Sequence, residues 1–159
     1  ISARGLSIST CGLSEGIEKL SQFPLQVNLA VSLHASDNEL RSSLMPINNA
    51  VSLDDLFASL KKYLAVKNRK IMFEYLLLKD VNDSRDQARQ LAKLLKKLPA
   101  KLVMVNLIAY NQTGNFVASD VDRVKEFKKE LEGRGVNVTV RESLGGEIFG
   151  ACGQLANRR

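Results

Sequence analysis

Five short runs rich in Val, Ile and Leu punctuate this chain: Leu6–Thr10, Leu25–His34, Ile71–Leu78, Leu102–Ile108 and Val136–Arg141. Each has strand length and ends in a break. Helix-like segments fill the gaps. Strand followed by helix in nearly every interval predicts parallel strands joined by right-handed crossovers, an α/β fold. With 159 residues and no low-complexity linker, the chain reads as a single domain with its own core.

The helices are legible in their apolar stripes. Ser52 to about Val66 carries Leu53, Leu56, Phe57, Leu60 and Leu64, with Ser52 placed to cap and Asp55 three residues on. Ser84–Leu98 repeats this design with Ala88, Leu91, Ala92, Leu95 and Leu98. Ser119–Glu132 repeats it with Val121, Val124, Phe127 and Leu131, and stops at Gly133 and Gly135. Ser14–Phe23 is a weaker helix, and Asp37–Leu44 a short one that stops before Pro46.

The strands carry a second signal, because side chains alternate faces with period two. Strands buried on both faces read as continuous apolar runs. Here one face is interrupted by Ser7 and Ser9, by Ser32 and His34, by Glu74, by Asn106, and by Asn137, Thr139 and Arg141. Most interruptions lie toward the strand C-termini, where α/β barrels and open α/β sheets alike place their sites. Taken singly, each is a satisfied polar residue at a strand end. Taken together, Ser9, Ser32, His34, Glu74, Asn106 and Arg141 predict one site.

Composition narrows the classes. The net charge is +6, which suits an anionic partner such as RNA, although the basic residues are spread along helices. Aromatic residues make up 6% with no Trp, which argues against a single-strand reader that stacks bases. No lysine lies on a polar strand face, against a Schiff-base enzyme. No apolar run is long enough to span a membrane. Two cysteines, Cys11 and Cys152, make no disulfide framework and fit a reduced, cytoplasmic setting. Neither has a spacing that holds zinc or an iron–sulfur cluster. Cys11 reads as a small packing residue. Cys152 follows the last strand in a glycine-rich tail, "VRESLGGEIFGACGQLANRR", expected to lie over the strand C-termini. A thiolate there is well placed for nucleophilic work.

The tail, with Arg141, Gly145, Glu147 and "ACGQL", resembles the C-terminal signature of the RlmN/Cfr family of radical S-adenosylmethionine methyltransferases. "SIST", "AVSLHASDNELRSSLMPIN", "FEYLLLKDVND" and "VNLIAYN" follow the family pattern in the same order. The resemblance implies the C-terminal half of a partial (βα) TIM-like barrel that acts on C2 of an adenine in 23S ribosomal RNA, with tRNA as a second candidate substrate. It assigns Ser9, Ser32, Leu33, His34 and Asn106 to S-adenosylmethionine and makes Cys152 the catalytic residue that is itself methylated. It places the [4Fe–4S] cluster ligands, the resolving cysteine and an RNA-binding domain upstream of this chain, which alone is then expected to be inactive. It implies a monomeric parent protein. A C8-modifying enzyme of the same family and a non-catalytic basic RNA-binding module are the alternatives. "NLIAYNQ" departs from the family's proline–tryptophan pattern, Glu147 stands for its usual aspartate, and Gly150 for its usual alanine.

Overall fold

A computed structural model describes residues 2–111 and 113–141. Its five strands are β1 (Ser7–Thr10), β2 (Asn28–Ser32), β3 (Ile71–Leu77), β4 (Val103–Ala109) and β5 (Asn137–Arg141). The helices are α1 (Ser14–Gln22), α2 (Asn38–Leu44), α3 (Leu53–Lys67), α4 (Arg85–Leu95) and α5 (Val121–Glu132). All neighbouring strands pair in parallel, and their spatial order is their chain order, β1 to β5. A sheet that never reverses its strand order has no switch point at its centre. Right-handed crossovers then put the helices on one face, as in a segment of a barrel.

Two hydrophobic layers meet on that face. Leu29, Val31, Ile71, Phe73, Tyr75, Val103, Val105 and Leu107 from the sheet pack with Leu56, Phe57, Leu60, Leu91, Leu95, Phe127 and Leu131 from the helices. Phe57 stacks on Phe73 at 5.7 Å, and Tyr75 lies against Phe127 at 5.3 Å between ring centroids. Ser52 and Ser84 each close a capping box, with Asp55 and Gln87 respectively. α3 ends at Asn68 in the left-handed conformation, φ 46°.

Some boundaries depart from expectation. β2 begins at Asn28, three residues later than expected, and Leu25 is exposed. It ends at Ser32, and His34 beyond it turns to φ 59°. α4 ends at Leu95, three residues early. α5 starts at Val121 with Asp120 at the cap position. Ser119, expected to open that helix, instead donates its hydroxyl to Asp83 Oδ2 at 2.7 Å. Val121 is exposed and contributes nothing to the core stripe. Among the described residues no helix is long and apolar enough to cross a membrane.

Candidate functional site

The face of the sheet opposite the helices is where the polar interruptions lie. The pairing register places Ser32 beside Glu74, Glu74 beside Asn106, and Asn106 beside Thr139. One row of polar side chains therefore runs across four strands. Asn106 Nδ2–H donates to Glu74 Oε2 at 2.8 Å, and Thr139 Oγ1 hydrogen-bonds Asn106 Oδ1 at 2.9 Å. Asn106 is 8% exposed, the deepest member of the row. Ser9 shares this face one row nearer the strand starts, in line with Ala30, Met72, Met104 and Asn137. Arg141 lies two positions beyond Thr139, in line with Ile108. Ser9 and Arg141 are exposed. Ser9, Ser32, Glu74, Asn106 and Arg141 thus share a face, and three of them, Ser32, Glu74 and Asn106, are immediate neighbours.

Leu33 is different. Its side chain is buried in the core on the helix side. Its N–H donates to the Glu74 carbonyl and its own carbonyl accepts from Arg41 Nε. What Leu33 offers the site is backbone already engaged in holding the strand ends.

His34 does not continue the strand alternation. In its left-handed turn, Nδ1 accepts the Leu76 N–H at 3.0 Å. Burial, with a smaller contribution from the Arg41 charge, lowers its pKa to about 4. The imidazole is therefore neutral near pH 7, and because Nδ1 is an acceptor the proton sits on Nε2.

Sequence reading missed the residues that hold these positions. Arg41 of α2 is fully buried, and it has no carboxylate among its hydrogen-bond partners. Its guanidinium donates to the carbonyls of Leu33, Ser32 and Cys11 and to Asn48 Oδ1, at 2.8–3.2 Å. One side chain thereby ties the end of β1 to the end of β2. Gly12 makes room for it: a Cβ there would lie 3.3 Å from Arg41 Nη2, and its φ of 107° already disfavours any other residue. Burial lowers the Arg41 pKa from its ordinary value.

Asn82 does the same for β3. Its Nδ2 donates to the carbonyls of His34 and Leu76, and its Oδ1 accepts the Leu78 N–H at 2.7 Å. Its own carbonyl accepts the Tyr75 hydroxyl. The loop after β4 is tied to the same turn by an antiparallel bridge between Leu78 and Ala118 and by Lys79 N–H to the Val117 carbonyl. In that loop Tyr110 meets Phe116 edge to face at 6.2 Å. Cys11 is exposed rather than packed, and its carbonyl accepts from Arg41 Nη2. Cys152 and the rest of the tail lie outside the described residues.

Hydroxyl, carboxylate and amide on one face, with a neutral imidazole just beyond the end of β2, suit a ligand with several polar groups, such as an amino-acid nucleoside. The same residues do not suit a metal cluster: among the described residues no three His, Cys, Asp or Glu stand close enough to hold a metal ion.

No protein-family profile matches the chain. Among curated proteins, it is 47% identical over 160 residues to a probable dual-specificity RNA methyltransferase RlmN of Caldicellulosiruptor saccharolyticus, covering 99% of this chain and 46% of that protein. It is 46% identical over 158 residues to the protein of the same description from Streptococcus pneumoniae serotype 2, covering 98% of this chain and 44% of that protein. The chain thus spans somewhat under half the length of these relatives. Among solved structures, a radical SAM methyltransferase from Sphaerobacter thermophilus superposes with a TM-score of 0.92 at 42% identity, over 97% of this chain and 45% of the other. A domain of a pyruvate-formate lyase-activating enzyme from Bacteroides vulgatus shares the fold, with a TM-score of 0.68 at 14% identity.

Proposed function

From the premise that this chain is related along nearly its whole length to RlmN-type RNA methyltransferases, we propose that it is the C-terminal part of the catalytic domain of such an enzyme. The parent protein methylates an adenine of 23S ribosomal RNA at C2, acts as a monomer in the cytoplasm, and has tRNA as a second substrate. The observation that carries this reading beyond relatedness is the polar row Ser32–Glu74–Asn106–Thr139 on the open face of a parallel sheet, toward the strand C-termini where such folds place ligands.

S-adenosylmethionine supplies the methyl group and, at a reduced [4Fe–4S] cluster, the radical that activates it. Ser9, Ser32, His34 and Asn106 hold the cofactor, and Leu33 contributes through the backbone that Arg41 fixes. Neutral His34 offers a donor at Nε2 and does not repel a cationic sulfonium. Cys152 receives and carries the methyl group, a role for which its thiolate is the competent form. The cluster ligands belong to another part of the protein.

The test is peptide mass spectrometry on the intact parent protein after anaerobic reconstitution and incubation with S-adenosylmethionine. A methylated Cys152 is the expected result. An unmodified Cys152, in protein that still cleaves S-adenosylmethionine, overturns the methyl-carrier role. Mapping the methyl group to C8 of the product adenine overturns the C2 assignment.

A further inference from the structure

Asn106 is bonded on both sides, and its two partners differ chemically. A carboxylate only accepts hydrogen bonds, so the group 2.8 Å from Glu74 Oε2 has to be the Asn106 amide nitrogen. Thr139 Oγ1, at 2.9 Å on the other side, can donate and so meets the amide oxygen. An unconstrained asparagine can turn its amide over at little cost and present donor and acceptor in either order. This one cannot without setting oxygen against carboxylate. The amide has one remaining N–H and one remaining carbonyl lone pair. With the sides taken by neighbouring strands, these are the groups left for a ligand.

We propose that Glu74 and Thr139 are positioning residues that lock the sense of the Asn106 amide, donor on the β3 side and acceptor on the β5 side. The locked amide reads a ligand edge that carries an acceptor and a donor side by side, the pattern of the ring nitrogen and exocyclic amine of adenine. The inference rests on the cofactor reading above, in which the adenosine moiety supplies that edge. It accounts for a carboxylate on the open face that relatedness alone gives no role.

The experiment uses the intact parent protein and S-adenosylhomocysteine, titrated by calorimetry, with the Asn106 side-chain amide followed by NMR in the unloaded protein. Glu74→Gln is expected to lose the downfield amide proton that faces the carboxylate and to weaken binding about tenfold. Thr139→Val is expected to weaken it less, and Thr139→Ser to restore it. The double variant Glu74→Gln with Asn106→Asp separates positioning from packing. It rebuilds the bridge with donor and acceptor exchanged, so melting temperature recovers while affinity stays low.

Recovery of affinity together with melting temperature overturns the proposal, because the bridge is then only a brace. Unchanged Asn106 amide signals in Glu74→Gln overturn it as well. Failure of the cofactor reading has a separate signature, a wild-type protein that binds no S-adenosylhomocysteine while the Asn106 amide signals still report the lock.

Discussion

On the helix-covered face of the sheet, Leu29, Val31, Ile71, Phe73, Tyr75, Val105 and Leu107 are no more than 1% exposed. On the open face of the same strands, Met72, Glu74, Leu76, Met104 and Ile108 are only half buried, and Asn106 is held by hydrogen bonds rather than packing. The two faces differ by one residue of register, yet one holds the fold together and the other is available to a ligand. Stability and recognition are thereby separated within single strands. Where the faces meet, at the strand tips, Arg41 and Asn82 fasten the open face to the packed one.

This contrast can be broken by substitution, and the largest effect belongs to the packed face. Phe73→Ala removes a ring stacked on Phe57 and is expected to cost about 3–5 kcal/mol in urea denaturation. Met104→Ala on the open face costs about 1 kcal/mol. Equal losses would mean that the open face is also core. Next comes the fastening. Arg41→Met leaves three carbonyls and Asn48 Oδ1 without their donor and is expected to cost about 3 kcal/mol. A neutral outcome would show that the strand tips hold themselves.

A pH titration sharpens the same boundary. His34 is the chain's one histidine. Its pKa is about 4 in the folded protein against 6.5 unperturbed. Between these values the unfolded chain binds more protons, so stability falls as pH drops from 6.5 to 4, by roughly 3 kcal/mol. His34→Asn tolerates the left-handed turn and can accept the Leu76 N–H, so it should abolish this part of the pH dependence. If the variant's stability follows the same curve as wild type, the histidine is not the titrating group. The smallest effects lie farthest from either face. Ser84→Ala opens a capping box and costs about 1 kcal/mol, whereas Lys97→Ala breaks an exposed pair with Asp54 and leaves the urea midpoint unmoved.

What could be read in advance follows this division. Apolar periodicity reports burial, so the packed face, its five strands and the serine-capped helices were legible in order and, apart from the shorter β2, nearly in extent. Polar interruptions on one face placed Ser32, Glu74 and Asn106 together. Arg41 was not legible, since an arginine in a short helix reads as surface, and only tertiary packing brings three carbonyls around it. Asn82 looked like turn punctuation for the same reason. Its three side-chain bonds join residues 34, 76 and 78. His34 was expected on the strand's polar face, but its left-handed backbone, which the Leu76 and Asn82 bonds hold, ended the alternation two residues early.

The unbroken strand order has a consequence for how this chain comes into being. Each new strand pairs with the one made just before it, across connections of 17 to 27 residues except for the longer one carrying α2 and α3. Loop-closure costs stay modest, and no strand has to wait for a partner from a distant part of the chain. As synthesis proceeds from the N-terminus, β2 can meet a waiting β1, and β3 a finished pair. The sheet can grow like a row of planks laid one against the next, its advancing edge always the newest strand.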